Sequence, residues 1–377
     1  MTSTCWTRTQ DNNGIVWLML DRPGRSANAL SKVVLEELDA ILRDIALAVP
    51  RGLVIGSAKA SGFIAGADIK EFTTLSSVDE ARRLVRAGQS VLDRLEALPC
   101  PTVAMIEGFA LGGGLELALA CRYRVALDDG RLTLGLPEVM LGIHPGFGGT
   151  VRAVRLLGAA TALDLMLTGR NVRADKARRI GLIDALARDP EALKTLARDF
   201  VLTPRATHRP PLLQRALSWA PIRPFVKPRL LAQVRKKVRQ EHYPAPYALI
   251  ELWFKHGAQG AVAYEAEADS IAQLFLTPTA RNLVRVFLLQ DALKAQGDKT
   301  LKAAERVHVI GAGVMGADIA ALCATRGLHV TLQDRDAAIV EAAILQQHAK
   351  MAERIKDPAR RDAAIARLRA DVDGSTV

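Results

Sequence analysis

The chain has 377 residues, of which 49% are hydrophobic, so it exceeds the length at which a single core usually keeps growing and we expect two or more domains. No apolar run approaches the roughly 20 residues that span a bilayer, and the polar start, 1–13, lacks an apolar signal core. The composition therefore excludes a membrane span and predicts a cytoplasmic protein.

The net charge of +11 is concentrated in one segment, 201–240, which carries ten Lys or Arg, six prolines and no Asp or Glu. The segment has only two aromatic residues, Trp219 and Phe225, too few to interleave with the basic residues and stack on bases, so we expect a solvated connector. A basic surface that attracts a polyanionic substrate is the second interpretation, and nucleic-acid binding is the third. No nucleic-acid partner is therefore predicted.

Cysteine and histidine spacing argues against a metal site. The four cysteines are scattered, and none of the seven histidines lies at ligand spacing from another His or Cys. We expect no metal and no disulfide framework.

The first half of the chain alternates between predicted strands and helices. Continuous apolar runs predict strands, and apolar residues at helical spacing predict helices. In chain order, strands are expected at 15–20, 52–57, 102–106, 122–127 and 131–134, and helices at 30–48, 115–121, 151–158 and 174–180, with 182–183 extended.

Glycine-rich turns follow two of these strands. One turn, 112–114, opens the helix after strand 102–106, and a second glycine loop, 61–70, follows strand 52–57. The first turn of a helix has unpaired N–H donors and the positive end of the helix dipole, so it can hold an oxyanion. Two such loops can each aim one N–H at the same oxygen.

Two glutamates accompany these turns. Glu116 lies one turn into the helix that 112–114 opens, and Glu138 directly follows Pro137 in a later loop. An anion hole flanked by two carboxylates suits chemistry next to a carbonyl group. The alternative is a packing turn with two solvated glutamates.

Four motifs in the first half resemble the enoyl-CoA hydratase (crotonase) superfamily. They are Ala65-Gly-Ala-Asp68, Gly108-x-Ala-x-Gly-Gly-Gly-x-Glu116, Pro137-Glu138 and Gly142-x-x-Pro-Gly-x-Gly-Gly-Thr150. The resemblance implies an α/β fold over residues 1–190, a ClpP/crotonase-like spiral of strand-strand-helix units. It also implies an acyl-CoA thioester as the substrate and no cofactor for its hydration.

The same resemblance implies roles for individual residues. The N–H groups of Ala67 and Gly113 would hold the thioester oxygen, and Glu116 and Glu138 would bind one water between them, with Glu138 supplying the proton at C2. The other substrate contacts that it implies are Arg25 and Ala29 at the adenine end of coenzyme A, Ala65, Lys70 at a phosphate, Gly146 at the catalytic water, and Asp291. For Arg25, Lys70 and Asp291 a solvated surface charge is the alternative.

Beyond residue 190 the pattern changes. Residues 191–304 are expected to form a basic helical linker, with helices from about 258 to 274 and from 279 to about 294. A strand at 306–310, a glycine turn, a helix to about 326, a strand at 329–332 and an acidic residue then follow in the order of a dinucleotide-binding βαβ unit. This partial Rossmann pattern, 305–377, resembles the start of a 3-hydroxyacyl-CoA dehydrogenase domain. The NAD contacts it implies are Gly311, Gly313, Met315, Gly316 and Asp334.

The order of these domains resembles the multifunctional enzymes of fatty-acid oxidation, which hydrate 2-enoyl-CoA and then oxidise the product with NAD. Because about one βαβ unit follows residue 305, we expect a truncated chain in which the hydratase is complete and the NAD site and the dehydrogenase are incomplete. Residues 337–377 should then be loosely held. Δ3-Δ2-enoyl-CoA isomerase activity and an inactive acyl-CoA-binding remnant are the alternatives. For the longer parent a homo-oligomer or a thiolase complex is open.

Overall fold

The computed structural model describes residues 5–297, 302 and 304–375. The chain divides into two compact units, one extending to Ala292 and the other beginning at Leu293. Among the described residues no helix is long and apolar enough to cross a bilayer.

A six-stranded sheet is the centre of the first unit. Its strand order is β1-β2-β3-β4-β6-β8, and every neighbouring pair is parallel except β1 and β2. A parallel pair, β5 and β7, lies beside it as a separate sheet. The strands are β1 (Trp6–Gln10), β2 (Ile15–Leu20), β3 (Gly52–Ser57), β4 (Thr102–Ile106), β5 (Phe109–Leu111), β6 (Tyr123–Leu127), β7 (Thr133–Gly135) and β8 (Ala185–Ala187).

Helices cover both faces of this sheet. The helices of the first unit are α1 (Lys32–Leu47), α2 (Ile69–Phe72), α3 (Val78–Glu96), α4 (Gly113–Ala120), α5 (Gly149–Leu157), α6 (Ala159–Thr168), α7 (Ala174–Arg179), α8 (Pro190–Leu202), α9 (Leu212–Ala216), α10 (Arg223–Arg235), α11 (Ala245–His256), α12 (Gly260–Phe275) and α13 (Pro278–Ala295), with a 3₁₀ helix at Pro137–Leu141. Ser31 caps α1 by accepting a hydrogen bond from the N–H of Val34.

The side chains of β3 show how the sheet divides the core. Leu53 and Ile55 belong to the core on one face, and Val54 belongs to the core on the other face, where α8 contributes Phe200. All three β3 side chains are fully buried. Because successive side chains of a strand point to opposite faces, an unbroken apolar run fits a strand covered on both sides. Burial of each such side chain stabilises the fold by roughly 1.5–3 kcal/mol.

Helices that were expected to form a separate linker belong to the first unit. In particular, α12 packs against α3, and its residues Ala268 and Ile271 share a buried cluster with Val85. The boundary expected at residue 190 is therefore not the boundary of the compact unit, which lies at 292. The end of the expected linker at 298–301 and 303 lies outside the described residues.

The second unit is a three-stranded parallel sheet with helices. Its strand order is β11-β10-β9. The elements are β9 (Arg306–Ile310), α14 (Val314–Thr325), β10 (His329–Gln333), α15 (Ala337–Arg354), α16 (Pro358–Arg367) and β11 (Leu368–Ala370).

The expectation that residues 337–377 are loosely held is wrong for the described part of that segment. The strand β10 is paired on both sides, and Val340 of α15 and Ala364 of α16 are buried in one core with Leu368. The strand β11 was not predicted because three residues are too few to show a strand period. Residues 182–183 were expected to be extended, but the last strand of the main sheet is Ala185–Ala187.

Candidate active site

Two backbone N–H groups come together where the loop after β3 meets the turn between β5 and α4. A Cβ atom placed on Gly113 would lie 3.2 Å from the backbone nitrogen of Ala67, so the two loops are in contact. Gly112, which precedes α4, has a φ of 50°, a left-handed conformation that glycine adopts without strain. Among the described residues, the N–H groups of Ala67 and Gly113 donate to no protein acceptor. This pair of donors is therefore available to an oxygen atom of a ligand.

Glu116 lies within α4 and faces the start of α5. Its side chain is buried, and Oε1 accepts hydrogen bonds from the N–H groups of Phe147 at 2.7 Å and Gly149 at 2.8 Å. Burial raises the pKa of Glu116 well above its ordinary value, and the carboxylates of Glu138 and Glu267 raise it further. The two N–H donors oppose this rise because they stabilise the ionised form.

Glu138 has the carboxyl group of the site that makes no hydrogen bond to other described residues. Both of its oxygens are buried, although the residue as a whole is partly exposed, and they have no hydrogen-bond partner among the described residues. A Cβ on Gly112 would lie 3.2 Å from Oε1, so the carboxyl group adjoins the turn that opens α4. Burial raises the pKa of Glu138 to about 8, and the charge of Glu267 adds to this rise. At neutral pH Glu138 is therefore mostly protonated and can donate a proton.

One cavity contains both glutamates and both N–H groups. It holds about 640 Å³ of space free of protein atoms, including its open mouth. Its walls are otherwise mainly apolar, and they include a pair of aromatic rings, Phe72 and Phe275, whose centroids are 4.5 Å apart. The apolar lining residues are Ile69, Phe72, Leu84, Val85, Leu141, Ile143, Phe147, Ile271 and Phe275. An apolar pocket with a few convergent polar groups is typical of a small-molecule site.

His144 also lines this cavity and was not predicted from the sequence. Its ring nitrogens contact Pro145 O at 2.7 Å and Ser270 Oγ at 2.8 Å. Burial lowers the pKa of His144 to about 4. The imidazole is therefore neutral at physiological pH, and both its nitrogens are already occupied.

Two further polar residues behind the cavity were also missed. Glu267, on α12, is buried and accepts a hydrogen bond from Gln89 Nε2 at 2.9 Å. Gln89, on α3, also donates to the carbonyl oxygen of Gly146 at 3.0 Å. The one available signal was the position of Glu267 on the buried face of its helix, four residues after Ala263 and four before Ile271.

The loop expected at the adenine end of coenzyme A is fixed by Asn28. This residue is fully buried, and its amide donates to Leu20 O at 2.8 Å and to Ser57 Oγ at 2.9 Å. The backbone carbonyl oxygen of Asn28 accepts a hydrogen bond from the N–H of Ala65, so the loop after β2 and the loop after β3 are held together. Ala65 lines the cavity.

The other expected substrate contacts differ in position. Arg25 and Lys70 are exposed and Ala29 is half-buried, and none of the three lines the cavity. Gly146 does line it. Asp291 is exposed near the end of α13 and is not part of the cavity wall. The structure therefore brings Gly146 and Ala65 to the two glutamates, and it leaves the charged contacts outside.

In the second unit the five expected cofactor residues lie around one glycine turn. Gly311 has a φ of 106°, and a Cβ on Gly316 would lie 1.8 Å from Gly311 O, so a larger residue would fill this turn. Met315 is 77% exposed. Asp334 follows β10 and accepts a hydrogen bond from the N–H of Ala312 at 2.7 Å. The backbone is therefore packed closely at Gly316, and Asp334 is held against the same turn.

The described residues contain no group of three or more His, Cys, Asp or Glu side chains arranged to hold a metal ion.

Comparison with known proteins gives matches in both units. Residues 10–211 match the enoyl-CoA hydratase/isomerase family, and residues 306–377 match the 3-hydroxyacyl-CoA dehydrogenase NAD-binding domain. The chain is 38% identical over 329 residues to the fatty acid oxidation complex subunit alpha of Shewanella loihica, covering 85% of this chain and 46% of that protein. The corresponding subunit of Aliivibrio fischeri is 38% identical over 319 residues, with 83% and 46% covered. The chain thus spans about half the length of these curated relatives.

Solved structures confirm the predicted fold. The enoyl-CoA hydratase of Bacillus halodurans superposes with a TM-score of 0.55 at 19% identity. The superposition covers 75% of this chain and 100% of the Bacillus halodurans chain. The enoyl-CoA hydratase of Mycobacterium avium subsp. paratuberculosis gives a TM-score of 0.54 at 18% identity, with 76% and 99% covered. The crotonase fold of the first unit and the parallel sheet of a partial Rossmann unit in the second are as expected. Since the family match extends over more than half of its residues, the chain belongs to the enoyl-CoA hydratase/isomerase family.

Proposed function

We propose that the first unit adds water to 2-enoyl-CoA thioesters and forms 3-hydroxyacyl-CoA. The observation that carries this proposal is the cavity in which Glu116 and Glu138 lie with the unpaired N–H groups of Ala67 and Gly113. Hydration of an enoyl thioester needs two proton transfers and stabilisation of an enolate oxygen. The two carboxyl groups can make the two proton transfers, and the two N–H groups can together stabilise the enolate oxygen.

The reaction begins with the thioester oxygen between the N–H groups of Ala67 and Gly113. One water lies between the carboxyl groups of Glu116 and Glu138. Glu116 accepts a proton from this water while the water oxygen forms a bond to C3 of the substrate. The electron pair of the C2–C3 double bond moves towards the thioester oxygen, where the two N–H groups stabilise the negative charge.

Glu138 then completes the addition. Its protonated carboxyl group donates its proton to C2, and the carbonyl group is restored. This division of roles suits the environments, because Glu116 accepts two N–H hydrogen bonds that favour its ionised form and Glu138 accepts none from other described residues. The proton that Glu116 gained returns to Glu138 through solvent before the next turnover.

The assay that tests the proposal uses crotonyl-CoA. Hydration removes the conjugated double bond, so the ultraviolet absorbance of the enoyl thioester should decrease with time when the chain is added. Chromatography should identify 3-hydroxybutyryl-CoA as the product. An unchanged substrate with a folded protein would contradict the proposal.

Isomerisation between 3-enoyl-CoA and 2-enoyl-CoA is the second candidate, because a single base that is not hydrogen-bonded, such as Glu138, can move a proton between C2 and C4. The presence of two carboxyl groups in one cavity favours hydration. A 3-enoyl-CoA substrate separates the two activities, since an isomerase accumulates the 2-enoyl thioester and a hydratase alone leaves the substrate unchanged. A folded chain that binds the thioester without either reaction would be an acyl-CoA-binding remnant.

For the longer protein we propose a second activity at the glycine turn of the second unit. Residues 311–316 and Asp334 would hold the adenosine diphosphate half of NAD there, and NAD supplies hydride transfer when it is bound. The substrate of that step would be the 3-hydroxyacyl-CoA that the first unit produces. A homo-oligomer, a thiolase partner and a cytoplasmic location stay predictions.

A further inference from the structure

Two buried carboxylates share the backbone between Phe147 and Thr150. The N–H groups of Phe147 and Gly149 donate to Glu116, as described above. The two N–H groups that alternate with them donate to Glu267: Gly148 at 2.6 Å to Oε1, and Thr150 at 3.0 Å to Oε2. Four consecutive N–H groups are thus divided in strict alternation between two carboxylates.

We propose that Glu267 is a positioning residue of the hydratase site, holding residues 148–150 from the side opposite Glu116 and so fixing the hydrogen bonds that orient the Glu116 carboxylate. This inference rests on the proposed function. Glu267 does not line the cavity, so it acts through the loop and through its charge.

The partners of Glu267 require a carboxylate. Besides the two N–H groups, the Oγ hydroxyl of Thr150 donates to Oε2 and the amide of Gln89 donates to Oε1. All four partners therefore present hydrogens to Glu267, and a carboxylate is the side chain that only accepts. A glutamine at this position would turn an NH₂ group towards at least one donor.

In its ionised form Glu267 adds a negative charge close to the reacting pair. Burial raises the pKa of Glu267, and the hydrogen bonds from Thr150, Gln89 and Gly148 oppose that rise. The groups that face Glu267 or its immediate partners come from several elements. They are Glu116 on α4, Glu138 in the 3₁₀ helix, His144 in the loop before α5, Gln89 and Arg86 on α3, Arg152 on α5, and Tyr264 and Ser270 on α12. Arg152 is already paired with Asp93 and Glu96, and His144 is neutral. The carboxylate of Glu267 therefore raises the pKa of both Glu116 and Glu138.

The first test compares Glu267→Gln with Glu265→Gln. Both substitutions remove one carboxylate from α12, but Glu265 is half-exposed and pairs with Arg82 and Arg86. For Glu267→Gln we expect kcat for crotonyl-CoA hydration to fall roughly 10²-fold, because small displacements of a reacting group cost about that much. Both limbs of the pH–rate profile should also move to lower pH by roughly one unit, since loss of a negative charge eases ionisation of the remaining carboxyls. Glu265→Gln should keep the parental kcat and profile.

A second variant separates the effect of the charge at position 267 from the effect of the side-chain length. Glu267→Asp keeps the charge and shortens the side chain by one methylene group, so kcat should fall while the limbs of the profile stay in place. Glu267→Gln with parental kcat would overturn the positioning role. A reduced kcat with unmoved limbs in Glu267→Gln would overturn the electrostatic part. If Glu267→Gln does not fold, Thr150→Val replaces it, because it removes one donor to Glu267 without changing the side-chain shape, and an unchanged kcat there would overturn the positioning role.

A measurement without substrate keeps this inference distinct from the proposed function. The chain is labelled with carbon-13 at glutamate carboxyls, and the Glu138 signal is identified by its loss in Glu138→Gln. Its NMR titration midpoint should be lower in Glu267→Gln than in the parent and unchanged in Glu265→Gln. Absence of hydration in the parent together with this shift would reject the proposed function alone. Parental hydration together with an unmoved midpoint would reject the electrostatic inference alone.

Discussion

In the first unit a glycine turn opens α4 beside two buried carboxyl groups, whereas in the second unit a glycine turn opens α14 beside the half-buried carboxyl group of Asp334. Both turns follow a parallel strand of their own sheet. Burial raises the pKa of Glu138 to about 8 in the first unit. In the second unit, hydrogen bonds from the N–H groups of Ala312 and Arg335 lower the pKa of Asp334 below its ordinary value.

The difference shows that the surroundings of a glycine turn decide what its carboxylate can do. A carboxyl group whose pKa is near neutral can give and take a proton during turnover. A carboxylate with a lowered pKa, such as Asp334, stays ionised and can only accept hydrogen bonds, which suits the recognition of a ribose hydroxyl. The same local motif is therefore suited to acid–base chemistry in one unit and to ligand binding in the other.

The largest effect is expected from the buried pair. Glu116→Gln or Glu138→Gln should lower the rate of crotonyl-CoA hydration by roughly 10²–10⁴, because a positioned acid or base contributes on that order. Binding of a CoA thioester, measured by calorimetry, should change little. Asp334→Asn is the matched control from the other unit and should leave the rate unchanged. A Glu138→Gln protein with most of the parental rate would remove Glu138 from the mechanism.

A smaller loss is expected when one N–H donor is deleted. Gly113→Pro removes the N–H of the first residue of α4, a position where proline is compatible with a helix. Turnover should fall by roughly 10²–10³, the usual cost of losing one oxyanion-hole donor, and contact with the Phe147 ring should add to the loss. Circular dichroism establishes whether the variant is folded. Near-parental hydration by a folded variant would show that the thioester oxygen is not bound there.

Much of this site follows from the sequence because its parts are local. The strands β3 and β4 are unbroken apolar runs, and their observed bounds, Gly52–Ser57 and Thr102–Ile106, agree with those expected. A glycine turn after each strand and Glu116 one turn into the helix are encoded within a few residues. Local patterns of this kind predict an element and its ends together.

Glu267 could not be found in the same way because tertiary packing alone brings it to the site. It lies 151 residues after Glu116 in sequence, in a segment expected to be a separate linker, and it contacts the loop only because α12 packs on α3. A helix was expected at about 258–274, but the pattern of its apolar residues did not mark Glu267 as one of the buried residues of α12. A buried charge is costly unless it is hydrogen-bonded, so propensity gives no reason to expect one there.

The pH dependence of hydration provides a third test of the contrast. Glu138 has to be protonated to donate at C2, so the rate should be retained below its pKa and should fall as pH rises through about 8. The fall should approach tenfold per pH unit above that value.

The free energy of unfolding should also decrease as pH rises, because a raised pKa means that the folded state binds the proton of Glu138 more tightly than the unfolded state does. Glu138→Gln should therefore melt at a higher temperature than the parent at pH 9, as measured by calorimetry. Equal melting temperatures at that pH would show that Glu138 ionises without cost.

The smallest effect is expected at the glycine turn of the second unit. We predict that the 377-residue chain by itself neither oxidises 3-hydroxybutyryl-CoA nor binds NADH tightly. A dinucleotide lies across the point where two mononucleotide-binding halves of a sheet meet. The described part of this unit supplies strands in the order β11-β10-β9, which is one half, and places β9 at its edge with Ile310 exposed. Gly311, Gly313 and Gly316 can receive the pyrophosphate, but no described residue of this unit is placed to receive the nicotinamide.

Fluorescence titration with NADH and an absorbance assay with 3-hydroxybutyryl-CoA and NAD measure the two parts of this prediction. Weak binding that disappears in Asp334→Asn, without NADH formation, is the expected result, because Asp334 would contact only the adenosine ribose. The hydratase rate of Asp334→Asn serves as an internal control for folding. Micromolar binding together with steady NADH formation would contradict the prediction. Asp334 would then belong to a complete oxidoreductase site, and the contrast between a unit that carries out chemistry and a unit that only binds would no longer hold for this chain.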